Sequence, residues 1–313
     1  MHQKSLENYL NSQKELINKH LELYLSELVS SCELEGLKGK GIQEPAKILF
    51  DSMKYSVIGG GKRLRPILAL AGTEFVNGDI KNTIPTACAI ELIHTQSLIH
   101  DDLPCIDNDD FRRGQPSNHK VFGEPMALLA GDALLAYAFH LITTKTPKEV
   151  SPRIILKVME EISGSNGFIG ICIGQAADIQ YTAHQNLNED ILQYIHINKT
   201  GALIKSAIKT GVLLGNGTKK QLSVLTAYAS YIGLAFQIID DILDVTGQKS
   251  KIGKSIGKDK HLCKATYPAI YGIEESKRKA ETYIDMAINL LKNFGKEADI
   301  LRALAKYIIN RQL

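Results

Sequence analysis

The sequence predicts an all-α fold, and three observations carry that expectation. Apolar residues recur at spacings of three and four along most of the 313-residue chain, the period of a helix with one buried face. No segment shows the strict alternation of a half-buried strand, and no apolar stretch is rich in β-branched residues for its whole length. Between the periodic segments lie clusters of Gly, Pro, Asn and Lys, which interrupt helices.

In chain order, Leu6, Tyr9, Leu10, Ile17, Leu21, Tyr24, Leu25 and Leu28 put one apolar face on a helix over 4–31. "ELEGLKGKGIQEP" then predicts a loop. Helices follow over 44–58, 66–77 and 83–102, with Pro66 suited to a first helical position. Pro104 disfavours helical geometry at Leu103 and cannot donate a backbone hydrogen bond. Asp101 and Asp102 therefore close the third of these helices, and Asp107 lies beyond a short irregular turn. Further helices are expected over 125–143, 151–164, 167–182, 188–213, 218–244, 266–292 and 297–311. Residues 221–239 carry no charge and approach membrane-span length. Their Gln, Ser and Thr, and the Asp240-Asp241 pair that follows, assign them to a buried helix rather than a membrane span. There is no Ser/Gly linker, low-complexity tract or repeat with a period of 20 to 50 residues, so 1–313 is expected to be a single domain.

A hydrophobic content of 44% is enough for a large core. The formal net charge is only +3, from 37 basic and 34 acidic residues, which excludes a nucleic-acid surface driven by bulk charge. Cys32, Cys88, Cys105, Cys172 and Cys263 lie far apart with no CxxC pair. That argues against a disulfide framework or a cysteine zinc site and fits a reducing cytoplasm. The polar N-terminus, "MHQKSLENYLNSQKEL", shows no apolar signal segment.

Two echoing stretches carry the chemistry: "LIHDDLPCID" around Asp101 and "QIIDDILDV" around Asp240. Asp240 and Asp244 are four apart and share a helix face, whereas Asp241 points about 100° away. With no clustered His or Cys, the ligand set is all oxygen and suits Mg²⁺. Mg²⁺ held by one or two carboxylates completes its shell with water and phosphate oxygens, so a phosphorylated substrate is implied. A solvated helix face, or carboxylates favoured by a helix dipole, would account for one such cluster but not for two embedded in apolar sequence. Cations should oppose them. "GGGKRLRP" (59–66) offers backbone N–H groups with Lys62, Arg63 and Arg65, and Arg112-Arg113 offers bidentate guanidinium groups. The charge balance would have Asp109 and Asp110 orient these two arginines. "GQKSKIGKSIGKDKHLCK" after Asp244 suits a lid over phosphate. Glu91 and His94 form an ExxH pair, but a di-iron bundle needs a second one and the chain has none. His94 is left as a donor to an anion or a satisfied buried group, and His100 reads as structural.

In this order and spacing, "GGGKRLRP", "HDDLPCIDNDDFRRGQPSNH", "GEPMALLAGDALL", "GQAADI", "KTGAL", "FQIIDDILDVTG" and "KATYPA" resemble the trans-isoprenyl diphosphate synthases, the family of farnesyl and geranylgeranyl diphosphate synthases. Only the first 40 or so residues carry little of the likeness. The resemblance implies an all-helical bundle around a deep central cavity, usually in a homodimer. It assigns Asp101, Asp102, Asp107, Asp240, Asp241 and Asp244 to about three Mg²⁺ ions that hold an allylic diphosphate. It places Arg112, Lys199, Thr200, Gln237, Lys254 and Lys264 at the allylic site, and Lys62, Arg65, His94 and Arg113 around the diphosphate of isopentenyl diphosphate. The first motif, with Pro104 and Cys105, has the DDxxxxD form typical of bacterial and plant members. The implied reaction is ionisation of the allylic diphosphate, attack by the isopentenyl double bond, and loss of a proton. A class I terpene cyclase would ionise the same substrate without needing a second cationic site, and a non-catalytic partner subunit tends to lose its aspartates. Product length is expected to depend on Gln96 and Ser97, about one turn before Asp101. The overall pattern suggests a C15 product, while Gln96, where many bacterial farnesyl synthases carry an aromatic residue, keeps C20 open.

Overall fold

The computed structural model describes residues 3–34, 43–181, 188–246 and 266–310. Apart from one two-stranded hairpin, the regular structure of these residues is helical. The helices are α1 (Gln3–Leu34), α2 (Gln43–Ile58), α3 (Leu64–Phe75), α4 (Ile84–Asp101), α5 (Asn118–Phe122), α6 (Glu124–Lys145) and α7 (Pro152–Asn166). They continue as α8 (Ile171–Tyr181), α9 (Glu189–Ile195), α10 (Ala202–Leu214), α11 (Lys219–Thr246), α12 (Tyr267–Tyr271), α13 (Ile273–Leu290) and α14 (Asp299–Asn310).

At the centre stands α4, buried from Ile84 through Ile93 on every face. It packs against α6 most extensively, and also against α1, α2, α3 and α10. On the other side α10 packs on α3, α7 and α11, and α11 packs on α13 and α14. One hydrophobic cluster runs from Leu6 to Ile308. A smaller one, including Leu192, Ile238, Ile239, Ile242, Tyr267 and Ala280, lies under the C-terminal half of α11. By length and composition α6 and α11 would each suffice to cross a membrane. The helices packed on both sides of α11 satisfy its apolar residues instead, as the sequence reading expects.

Three departures from that reading have local causes. Residues expected to form one helix over 188–213 hold a π turn at His196–Gly201 between α9 and α10, a feature frequent at functional sites. The helix expected over 266–292 breaks at Gly272, whose φ of 75° lies outside helical space. The segment after the first aspartates forms the antiparallel pair β1 (Phe111–Arg112) and β2 (Gln115–Pro116). Both residues of its turn, Arg113 and Gly114, have positive φ (55° and 78°), as a two-residue primed turn requires.

Candidate active site

Pro104 acts as the sequence suggests. Helix α4 ends at Asp101, and the chain folds back so that the amide of Asp107 donates to the carbonyl of Asp101 at 2.9 Å. The amide of Asp109 donates likewise to the carbonyl of Asp102, at 3.2 Å. Asp101 and Asp107 remain partly exposed.

Asp102 is 2% exposed, and its environment differs from the one the metal assignment expects. Its two oxygens accept from Nε of Arg112 at 2.9 and 3.0 Å, and Nη2 of Arg112 closes the pair. Burial pushes its carboxyl up to about 6, against the Arg112 bond that lowers it. Nη2 of Arg112 also reaches Asp109 at 3.3 Å, while its Nη1 is buried with no hydrogen-bond partner among the described residues. Arg112 and Thr95, whose hydroxyl is also buried with no partner among the described residues, line a cleft together with Leu98, Asp102, Arg113 and Gln115. Asp109 thus orients Arg112, as expected. Asp110 pairs with Lys120 at 2.7 Å, and Arg113 pairs with Glu91 at 3.4 Å.

Opposite this segment stands the π turn. Gly174 on α8 lets it approach, because a Cβ there would sit 2.2 Å from the Lys199 amide nitrogen. Lys199 bonds Asp178 at 2.6 Å. Burial alone would lower the pKa of this ammonium, but Asp101, Asp178 and Asp107 together raise it. Carboxylates from the end of α4, the turn after it and α8 therefore act on one cation. The neighbouring Thr200 hydroxyl donates to Oε1 of Gln237 at 2.7 Å. Gln237, Asp240 and Asp244 form a partly exposed stripe on α11, and the Thr200 bond turns its Gln237 end to the π turn.

Asp241 faces elsewhere. It is 4% exposed and accepts from Nε2 of Gln237 at 3.0 Å and from the amide of Tyr267 at 3.0 Å. Nε2 of His196 lies 3.5 Å away. Its oxygens, like those of Asp102, are engaged by protein donors, and the 100° offset from Asp240 is the reason. Burial lowers the pKa of His196 to about 3. The unfolded chain takes up this proton near pH 6.5, which the folded protein refuses until about pH 3, so stability falls as pH drops through that window. Thermal melts between pH 7 and 4 are expected to show this loss, and His196→Phe to flatten it. An unchanged slope in the variant would rule out His196 as the cause.

The cationic group assembles around α3 and α4. Nη1 of Arg65 lies 3.2 Å from Nε2 of His94, and its guanidinium lies 5.9 Å from the ring centroid of Phe236. Burial and then Arg65 hold His94 well below the usual imidazole range. Its ring is therefore neutral and accepts from Arg65. Arg113 donates to the carbonyl of Gly60 at 2.6 Å and to Glu91 at 3.4 Å, tying the hairpin to the glycine loop. Lys62, in that loop, is exposed. Ser97 donates to the carbonyl of His94 at 2.9 Å, and the Gln96 amide lies 3.0 Å from Nδ1 of His100. Lys254 and Lys264 lie outside the described residues. Two residues of this site escaped the sequence reading. Asp178 lay within a quoted motif, but a lone carboxylate on a helix does not disclose its partner. The sequence offers Glu91 only the neighbouring His94, whereas its partners, Arg63 and Arg113, come from other elements.

This architecture is the all-α isoprenoid synthase fold. The polyprenyl synthetase family matches residues 46–308, and the chain belongs to that family. It is 48% identical over 263 residues to a geranylgeranyl diphosphate synthase of Cyanophora paradoxa, covering 84% of this chain and 87% of that one. It is 44% identical over 308 residues to a farnesyl diphosphate synthase of Geobacillus stearothermophilus, covering 98% and 97%. Among solved structures, an FPP/GFPP synthase from Zymomonas mobilis superposes with a TM-score of 0.82 at 34% identity, covering 97% of this chain and 99% of that one. The chain is thus a short-chain trans-prenyltransferase.

Proposed function

We propose that this prenyltransferase joins isopentenyl diphosphate to allylic diphosphates with Mg²⁺ and releases a C20 product, geranylgeranyl diphosphate. The observation that carries the length is the polar pair before Asp101. Gln96 and Ser97 are smaller than an aromatic residue, and each bonds to a group of its own helix, so no aromatic ring floors the tail there. C15 remains the second reading, favoured by the farnesyl diphosphate synthase relative that aligns over 98% of the chain.

Asp101 and Asp107 on one wall and Asp240 and Asp244 on the other would hold Mg²⁺. The fit lies in the donor chemistry: all four side chains are carboxylates, partly exposed at the end of α4, in the turn after it and on α11. A hard cation that shares its shell with substrate phosphates suits that arrangement. When bound, Mg²⁺ supplies Lewis-acid stabilisation of the departing diphosphate. Arg112, held by Asp102 and Asp109, presents Nη1 to that diphosphate, and Lys199 adds a second fixed positive charge. Thr200 and Gln237 direct oxygen dipoles at the allylic cation, and Phe236 helps exclude water that would quench it. Arg65, His94, Arg113 and Lys62 orient isopentenyl diphosphate, and the released diphosphate takes the proton. Lys254 and Lys264 keep the roles the resemblance gives them.

We read the whole chain as one domain, and as a homodimer. Exposed Leu128 and Leu129 on α6, Leu156 on α7, and Phe168 and Ile169 beyond it support docking of a second copy. Cys88, Cys105 and Cys172 are free thiols, in keeping with a cytoplasmic location. The test is chromatography of products from dimethylallyl, geranyl and farnesyl diphosphates, each incubated with isopentenyl diphosphate and Mg²⁺. All three primers are expected to yield C20. Accumulation of C15, with farnesyl diphosphate left unextended, would select the second reading.

A further inference from the structure

The motif around Gly131 on α6 has a structural use that the catalytic assignments leave unexplained. A Cβ on Gly131 would lie 2.1 Å from Nε2 of His100, 2.5 Å from its Cδ2 and 2.9 Å from its Cε1. The imidazole of His100 thus occupies the slot that the missing side chain leaves between α4 and α6. There Nε2 lies 3.2 Å from the carbonyl of Leu128 and 4.0 Å from the Asp132 carboxylate. A carbonyl only accepts, so Nε2 carries the proton, and Nδ1 is the acceptor for the Gln96 amide. At 3.0 Å from Nδ1 stands Nε2 of Gln96. The ring is a rigid bridge from the backbone of α6 to the side chain one turn before the first aspartates.

We propose that His100, seated in the Gly131 slot, is a specificity-determining residue. It holds the Gln96 carboxamide against α6 and out of the path of the growing hydrocarbon tail, and so sets where elongation stops. This rests on the reading of Gln96 as a floor position, but not on which product the wild-type enzyme releases.

The two ring nitrogens can be tested separately, because Asn places its carboxamide near the level of Nδ1 and Gln places its own near the level of Nε2. His100→Asn retains an acceptor for Gln96, whereas His100→Gln retains only the donor to the Leu128 carbonyl. With geranyl and isopentenyl diphosphates as substrates, His100→Gln is expected to shift the ratio of shorter to longer product upward by about tenfold, the scale of one lost hydrogen bond. His100→Asn should keep the wild-type ratio. Gly131→Ala, which evicts the ring while leaving Gln96 and His100 in place, should shift the ratio as His100→Gln does. In a Gln96→Ala background, His100→Gln should have no further effect on length. A His100→Gln enzyme that turns over more slowly with an unchanged ratio would overturn the proposal. So would a double variant whose product is shorter than that of Gln96→Ala alone. Every ratio is read against the wild type, so a C15 wild-type product would refute the C20 reading and leave this comparison intact.

Discussion

Asp101→Ala is expected to lower turnover by about three orders of magnitude or more while circular dichroism stays helical. Asp101 closes α4, and its carboxylate and that of Asp107 act on Lys199 with Asp178. Removing it takes away an oxygen proposed to share a cation with the departing diphosphate. A loss of roughly 4 kcal/mol of transition-state stabilisation corresponds to that factor in rate. Asp240→Ala on the opposite wall should behave alike. The contrast with the adjacent carboxylate makes the result specific. Asp102 is bound by Arg112, so Asp102→Ala should raise KM for the allylic diphosphate by loosening Arg112, without moving the Mg²⁺ concentration needed for half-maximal rate. Asp101→Ala should move that concentration upward. Equal displacement of both Mg²⁺ curves would show that Asp102 is a ligand after all, and near-normal turnover in Asp101→Ala would end the metal assignment.

The contrast also marks what the sequence could disclose. Helix spacing separated Asp241 from Asp240 and Asp244 before any coordinates, and Pro104 placed Asp101 and Asp107 on either side of a turn. These are local rules, and the structure follows them. The apolar character of α11 and the helical character of the described residues were legible for the same reason. Asp102 was not, because its commitment to Arg112 depends on the fold-back after Pro104, which returns a residue ten positions away onto it. Nor were the partners of Asp110 and Arg113, since simple charge balance cannot choose between a neighbour and a more distant group. Asp178 with Lys199, and Glu91 with Arg63, join elements that meet only in the folded bundle. The π turn was hidden because it lies inside an otherwise continuous helical segment.

The second large effect is expected on stability. Glu91→Ala should destabilise the fold by about 3–5 kcal/mol, the cost of leaving a buried charge without its partner. Glu91 is 1% exposed and Arg63 is 2% exposed. Their ion pair spans 2.6 Å, and Arg63 reaches it from a left-handed backbone conformation, φ 52°. The remaining Arg63 contacts, to the carbonyl of Val57 at 2.6 Å and to Asn18 at 2.9 Å, satisfy donors but supply no negative charge. Replacing both members together, as Arg63→Met with Glu91→Met, should cost less than Glu91→Ala, because the fully buried guanidinium of Arg63 leaves with its partner and only the more exposed Arg113 loses a contact. Urea unfolding at neutral pH checks the order of the three proteins. Glu91 also accepts from Arg113 at 3.4 Å, so Glu91→Gln, which keeps the shape and removes the charge, should loosen Arg113 and its hairpin from α4. If Arg113 orients isopentenyl diphosphate, that variant should raise KM for isopentenyl diphosphate with little change in kcat, the pattern of lost ground-state binding. A Glu91→Ala protein as stable as the wild type would mean that the buried guanidinium finds another counter-charge. A Glu91→Gln enzyme with unchanged KM would detach Arg113 from that substrate.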